Sequence, residues 1–207
     1  NQRILLYLIQ SNTLILDKEI SFSLYSKYDQ YFSPEISPFI DDEDIKTKIS
    51  IKDEENFEKK RENGENEMYI CELIRKDMIS EFIIYVNKEN LALTTKIETS
   101  KYETNSFLMN FYEISLIEYA AFFGSIQIFK YLYLNQVKLT SSLWNFVIHS
   151  DNQELINILQ EKRIEPDNCS YNECIEESIK CHHNDMANYI LNSLDEDNLK
   201  SIENDED

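Results

Sequence analysis

Apolar residues recur every three or four positions from residue 115 to residue 194, and the pattern repeats along the chain. A shift of 27 residues superposes the stretch that begins at Ser115 on the one that begins at Ser142, and a third copy begins near Glu173. Each copy has two short segments with the period of an amphipathic α-helix, separated by a turn. The pattern therefore predicts helical hairpins over residues 115–137, 142–164 and 170–194.

A weaker copy precedes these hairpins. Residues 67–88 have the same two-helix pattern, with Asp77 at the turn. Residues 88–114 then interrupt the array, and their apolar residues alternate weakly, as in an extended insertion. Two short helices cannot bury both of their faces alone, so neighbouring hairpins are expected to stack. The predicted fold is therefore all-α, a solenoid of helical hairpins in which each hairpin contacts the next.

Helix boundaries have local signals of their own. The turns inside the hairpins fall at Asp77, Gly124, Asp151 and His182, and these residue types accept the positive φ of a left-handed turn. In a capping box, a side chain caps a free backbone N–H and an acid three residues later reaches back. Three pairs have this spacing: Ser115 with Glu118, Asp151 with Glu154, and Ser170 with Glu173.

The copy from Ser115 to Val137 resembles an ankyrin repeat. Ala120-Ala121 matches the paired small residues of that repeat, Gly124-Ser125 matches its glycine-histidine turn, and Phe129 and Leu132 match its buried second-helix positions. The later copies match less closely. All three copies lack the exit glycine, and the spacings of 27 and 31 residues are shorter than the usual ankyrin period of about 33. We expect abbreviated loops between the repeats.

A wider resemblance covers nearly the whole chain. The opening NQRILLYLIQ, the segment YFSPEISPFIDDED and the repeat IEYAAFFGSIQIFKYLYL resemble an expanded group of ankyrin-like proteins from parasitic protists that carry a domain of unknown function. That resemblance implies stacked helical repeats whose role is contact with other proteins. It implies no catalytic residues.

The remaining segments differ from the repeats in composition. Residues 1–40 have helical spacing, and we expect a helical N-terminal segment that packs on the first hairpin. Residues 41–67 hold 11 acids and 6 bases, and residues 195–207 hold 7 acids and one lysine. Both are poor in apolar residues, so disorder or a solvated helix is expected. We interpret 41–66 as a charged linker and 195–207 as an acidic tail, which either keeps the protein soluble or docks a basic partner.

Charge and glycine content exclude several functions. The net charge is −19, and an acidic surface repels nucleic acids and anionic membranes, whose binding depends on clustered Lys and Arg. Only Gly64 and Gly124 are present, which is too few for a glycine-rich phosphate loop. The longest apolar run, Ile4–Ile9, is far below the roughly 20 residues of a membrane-spanning helix. No nucleic-acid partner, membrane or nucleotide cofactor is expected.

One cluster carries metal-like chemistry, with the spacing C-x4-C-x6-C-H-H. It consists of Cys169, Cys174, Cys181, His182 and His183. Zinc needs four ligands that converge on one point, and the repeat register spreads these residues along a helix and its turn. The alternatives are a zinc site, a Cys-His nucleophile, or structural thiols beside a turn histidine. We favour the structural interpretation and expect no metal ligands or catalytic residues. The cysteines lack the spacing of a disulfide-rich protein, which also favours a cytoplasmic location for the chain.

The sequence therefore predicts a non-catalytic scaffold for protein-protein interaction that needs no cofactor. The expected partner is a protein, and a basic protein if the acidic tail takes part in binding. The alternative is a zinc-binding or thiol-dependent protein that uses the cluster from Cys169 to His183. The binding face is expected on the first helices and the loops between repeats, as in other solenoids. Position in the repeat selects the candidate contacts Phe122, Trp144, His149 and Tyr171.

Overall fold

The structure is a computed structural model that describes residues 2–28, 30–51, 54–167 and 170–195. Within these ranges the chain is mostly helical, which confirms the helical prediction from apolar periodicity, and the strands form one two-stranded sheet. The chain divides into two compact units. The first comprises Asn1–Met68 and Glu98–Glu113, and the second comprises Tyr69–Ile97 and Ile114–Asp207.

The first unit is built from short helices around an aromatic core. Its α-helices are α1 (Gln2–Gln10), α2 (Lys18–Tyr28), α3 (Ser33–Ile36), α4 (Glu43–Ile49) and α5 (Glu54–Asn63), with 3₁₀ turns at Ser37–Phe39 and Leu108–Asn110. Pro34 stands in the first turn of α3, where a missing backbone N–H costs nothing. Tyr31 and Phe32 are fully buried and contact each other edge to face, with ring centroids 5.0 Å apart.

The segment expected to be a linker, residues 41–66, contains α4 and α5 and belongs to this unit. Asp42 caps α4, because its carboxylate accepts hydrogen bonds from the backbone N–H groups of Asp44 and Ile45. Ile49 and Phe57 are the buried apolar residues of these helices, and two apolar positions among so many charges give a weak sequence signal. The predicted acidic tail, apart from Asp195, lies outside the described residues.

The second unit holds helices that pair in sequence order. They are α6 (Tyr69–Arg75), α7 (Ile79–Lys88), α8 (Leu116–Phe122), α9 (Ile126–Leu134), α10 (Leu143–Ser150), α11 (Gln153–Glu161), α12 (Asn172–Lys180) and α13 (Asn184–Ile190). We call the pairs α6–α7, α8–α9, α10–α11 and α12–α13 the first to fourth hairpins. A π-helical turn, Leu191–Asp195, follows α13.

The strands lie where the chain leaves the first hairpin and enters the second. Strand β1 is Lys96–Glu98 and strand β2 is Glu113–Ser115, and the two form the sheet. The expectation of an extended excursion over residues 88–114 is thus met in part, since Ile97 and Ile114 are the buried residues of the two strands.

The turn predictions are confirmed at all four hairpins. Asp77 and Asp151 have φ of 49°, Gly124 has φ of 67° and His182 has φ of 62°. A side chain at Gly124 would be strained by this φ, and its Cβ would lie 3.3 Å from the Cβ of Ser150. The left-handed residue reverses the chain after the first helix of each hairpin and lets the second helix fold back.

One of the three predicted capping boxes is confirmed. Ser115 and Glu118 make the reciprocal bonds at the start of α8. The prediction for Asp151 with Glu154 is wrong: Asp151 occupies the left-handed turn, and the next residue, Asn152, caps α11 through its side-chain oxygen. The prediction for Ser170 is also wrong, because Tyr171 stands at the N-cap of α12 and makes no side-chain cap bond.

Hydrogen bonds at the turns join each hairpin to the one before it. Ser125 Oγ donates to the backbone carbonyl of Ile74, and His183 Nδ1 donates to that of Ile148 over 2.9 Å. In both bonds, the donor residue directly follows the left-handed residue of its own hairpin. The acceptor residue lies three positions before the left-handed residue of the preceding hairpin. The same connection thus recurs at two different junctions between hairpins.

The remaining junction uses a related bond. Asn152, which also follows its left-handed residue, donates from Nδ2 to the carbonyl of Gly124 over 3.4 Å. The first helices pack side by side, α8 against α10 and α10 against α12, and α6 against α8. Leu143, Trp144 and Phe146 of α10 are buried among its neighbours.

Candidate functional site

A line of side-chain contacts runs along the first helices of the second unit. Arg75 of α6 donates from Nη1 to the hydroxyl of Tyr119 on α8 over 2.9 Å. One turn further along α8, the ring of Phe122 lies against the imidazole of His149 on α10, with ring centroids 4.8 Å apart. His149 Nε2 lies 3.1 Å from Glu177 Oε1 on α12. We call these five residues the first-helix row; they connect all four hairpins.

The row ends in a group of three chemically active side chains. His149 Nδ1 lies 3.3 Å from the Sγ atom of Cys181, which directly follows α12. Glu177 and Cys181 are four residues apart and so share one face of α12. One ligand-type atom from each of His149, Glu177 and Cys181 lies within 4.8 Å of the other two. We call these three residues the His149 cluster.

Partial burial sets the protonation of the cluster. Burial lowers the pKa of His149, and this effect exceeds the opposing attraction of the Glu177 carboxylate. The imidazole is therefore neutral near pH 7 and keeps a lone pair on one nitrogen. Burial also raises the pKa of Cys181, and the nearby Glu177 carboxylate adds to the effect. In the absence of a bound cation, Cys181 is a thiol rather than a thiolate at neutral pH.

This chemistry fits coordination better than nucleophilic catalysis. A catalytic cysteine needs a lowered pKa or a base held by a third group, together with donors for an oxyanion. His149 stands beside the thiol as such a base and Glu177 holds it, but the pKa of Cys181 is raised, which keeps the sulfur protonated. By contrast, a neutral imidazole, a carboxylate and a thiol that a cation can deprotonate are the usual side chains of metal sites.

The structure brings only one residue of the predicted Cys-His cluster into this group. Cys181 belongs to it, while Cys174 is buried, with its Sγ 4.0 Å from the side-chain oxygen of Asn145, and its pKa is raised to about 12 by burial. His182 occupies the turn and His183 bonds to the Ile148 carbonyl. Cys169 lies outside the described residues. Among the described residues, Cys174, His182 and His183 therefore have contacts outside the group that contains Cys181.

Sequence reasoning missed His149 and Glu177 as partners of Cys181. The four-residue spacing of Glu177 and Cys181 is visible in the sequence and places them on one helix face. Nothing local connects them to His149, which is 28 and 32 residues earlier along the chain. Their contact depends on how α10 packs on α12, and a register of stacked hairpins is a tertiary property.

The candidate partner contacts are mostly enclosed between hairpins. Trp144 is 1% exposed; its Nε1 donates to the Ile164 carbonyl over 2.7 Å, and its ring packs edge to face on Tyr171. Phe122 and Tyr171 are buried as well. The side chain of His149 retains 11% of its exposure. These large side chains face neighbouring hairpins because the apolar stripe of a first helix is also the surface on which the array stacks.

Two exposed side chains beside the row are charged. Lys76 and Lys180 are each more than half exposed, and they pair with Glu72 and Glu177 on their own helices. Lys76 follows Arg75, and Lys180 precedes Cys181, so both lie at the ends of first helices near the turns. Any partner that approaches the first-helix row would meet these ammonium groups.

The first unit has an open cavity of about 450 Å³ within its own residues. Lys27, Tyr28 and Lys101 line it, together with Gln2. The side-chain oxygen of Gln2 is buried and has no hydrogen-bond partner among the described residues. Lys101 is engaged by the side-chain oxygen of Gln30 over 2.6 Å.

No helix in the described ranges has both the length and the apolar character needed to cross a membrane. Comparison with known proteins does not narrow the function. No protein-family model matches the chain, and searches of curated proteins and of solved structures return no match.

Proposed function

We propose that the second unit is a non-catalytic scaffold for protein-protein interaction, built from ankyrin-like helical hairpins. The observation that carries the proposal is the repeated bond at the turns, in which Ser125 and His183 donate to the equivalent carbonyls of Ile74 and Ile148. Equivalent bonds at more than one junction are what a repeat architecture produces. Such arrays typically bind proteins over an extended surface rather than enclosing a small substrate.

The first-helix row is the surface that this proposal assigns to the partner. It reaches every hairpin, so a bound protein would contact several repeats at once. Trp144, Phe122 and Tyr171 would support this surface from beneath, and the contacts themselves would come from the exposed charged side chains near the turns, such as Lys76 and Lys180. Cys174 and Cys181 form no disulfide, which agrees with action in the cytoplasm.

Charge reversal tests the proposal. The full chain serves as bait in cell extract in three forms. They are the wild type, the row variant Lys76→Glu with Lys180→Glu, and the control variant Lys88→Glu with Lys162→Glu, whose sites lie at the ends of second helices. Both variants change the net charge equally, and circular dichroism verifies that both retain the helical fold. We expect a defined set of proteins to bind wild type and control and to be lost from the row variant.

Two results would contradict the scaffold proposal. Recovery of the same proteins by all three baits would show that the row is not the binding surface. Turnover of a substrate by the purified chain would remove the non-catalytic assignment.

A further inference from the structure

We propose that the His149 cluster binds a zinc ion that links the third hairpin to the fourth. His149 comes from α10, whereas Glu177 and Cys181 come from α12 and its end, so one ion would bond to both hairpins. This site is separate from the predicted C-x4-C-x6-C-H-H cluster, with which it shares only Cys181. The proposal is independent of which partner the scaffold binds.

The spacing of the ligand atoms is close to that of a zinc site. With bond lengths of about 2.3 Å to sulfur and about 2.0 Å to nitrogen, tetrahedral zinc holds those two atoms roughly 3.5 Å apart. The Sγ of Cys181 and the Nδ1 of His149 are 3.3 Å apart. A carboxylate oxygen of Glu177 lies within 4.8 Å of Sγ and of a ring nitrogen of His149. Its Oε1 is at the other ring nitrogen, 3.1 Å from Nε2, so the Glu177 side chain must turn toward Nδ1 to become the third ligand.

Two contacts hold the Glu177 carboxylate where it now lies. Oε1 is at Nε2 of His149, and Oε2 is held by Lys180 over 3.0 Å. When the side chain turns toward Nδ1, one oxygen can bind the ion while the other stays with Lys180. Lys180 is largely exposed, so its ammonium can follow the carboxylate at little cost.

The ligand set selects the class of ion. Sulfur, nitrogen and one oxygen suit zinc, whereas magnesium and calcium take oxygen ligands. Three protein ligands leave a fourth position for water or for a group from outside. Each of the three side chains keeps some exposure, which gives the ion a route into the site.

Zinc titration of the purified full chain tests the site. The protein is treated with a chelator under reducing conditions, and binding is measured by competition with a chromophoric zinc chelator. We expect one zinc ion per chain and no competition from magnesium. Cobalt substitution supplies a second readout, because a thiolate bound to Co²⁺ gives a charge-transfer band in the near ultraviolet.

Single substitutions identify the ligands. Cys181→Ser and His149→Gln should each weaken zinc binding by at least about 10–100-fold, the loss seen even for second-shell partners of a metal. Glu177→Gln should weaken it as well and leave the cobalt-thiolate band in place. Cys174→Ala and His182→Asn are the controls, since neither side chain belongs to the cluster and asparagine accepts the left-handed turn. Circular dichroism confirms that each variant is folded.

Three outcomes would overturn the inference. The first is absence of zinc binding by the folded wild-type chain at micromolar concentration. The second is binding that survives Cys181→Ser together with His149→Gln. The third is a site that Cys169→Ser abolishes and Cys181→Ser does not, which would assign the ion to other ligands.

Discussion

Asp77 makes the strongest test of how the hairpins stack. Its carboxylate accepts hydrogen bonds from the backbone N–H groups of Gln127 over 3.1 Å and Ile128 over 3.0 Å. These are the second and third residues of α9, and Ser125 at the N-cap position makes no side-chain cap bond. Asp77 therefore caps a helix of the next hairpin from a position 50 residues earlier, while its own backbone forms a left-handed turn with φ of 49°.

Three substitutions separate these two roles. Asp77→Asn keeps an acceptor oxygen and a residue that accepts positive φ, so it loses mainly the attraction of a charge to the helix N-terminus, about 0.3–1 kcal/mol. Asp77→Gly keeps the turn and loses the cap, about 1–2 kcal/mol. Asp77→Ala loses the cap and also strains the left-handed turn, which adds about 1 kcal/mol. The expected order of destabilisation is Asn, then Gly, then Ala.

Urea unfolding followed by Trp144 fluorescence measures the series, since Trp144 is the single tryptophan and lies in the second unit. Asp151 provides the matched control, with the same φ of 49° and no side-chain hydrogen bond to the described residues. Asp151→Gly should change the free energy of unfolding by less than Asp77→Gly does. Equal losses for Asp77→Ala and Asp77→Gly, or no loss for Asp77→Gly, would refute the reasoning.

Three further predictions concern buried polar groups. Arg61 is 3% exposed and pairs with Glu35 and Glu58. Arg61→Met leaves the Glu35 carboxylate without its partner and should lower the free energy of unfolding in urea by about 3–5 kcal/mol. The control Lys46→Met removes a surface pair with the exposed Glu43 and should cost about 0.5 kcal/mol or less. Burial raises the pKa of Glu35, so its contribution to stability is present at acidic pH and is lost as pH rises through the folded-state pKa. Wild type should therefore lose stability relative to Glu35→Gln as pH rises above the ordinary pKa of glutamate, and a parallel pH dependence of the two proteins would contradict this. Trp144→Phe leaves the Ile164 carbonyl without its donor and should lower the free energy of unfolding by about 1–3 kcal/mol, measured by urea unfolding followed by circular dichroism. A loss below about 0.5 kcal/mol would show that the bond contributes little.

The parts of the fold that depend on short-range rules could be predicted. The turns at Asp77, Gly124, Asp151 and His182 follow from residue type and helical period, and the structure gives all four a positive φ. The Ser115 capping box follows from a four-residue pattern. At Asp151 two local rules competed, because the residue suits both a cap and a left-handed turn. In the structure, Asp151 forms the left-handed turn and Asn152 caps α11.

The parts that depend on tertiary packing could not be predicted. Residues 41–66 contain too few apolar positions to mark α4 and α5, and their order depends on neighbours such as Glu35, which pairs with Arg61. The His149 cluster joins residues of two hairpins, and only the packing of α10 on α12 decides that they meet. Trp144 could be assigned to a repeat position but not to a face, since core and surface positions share the same helical spacing.

In these hydrogen bonds at the turns, the acceptor residue precedes the donor residue in the sequence. Ser125, Asn152 and His183 donate to carbonyls of an earlier hairpin, and the capping carboxylate of Asp77 is likewise an acceptor that precedes its donors. During synthesis the acceptor therefore leaves the ribosome first and remains hydrated until the next hairpin supplies the donor. An incomplete array exposes hydrated oxygens at its growing end, and each new hairpin can dock on a template that is already folded.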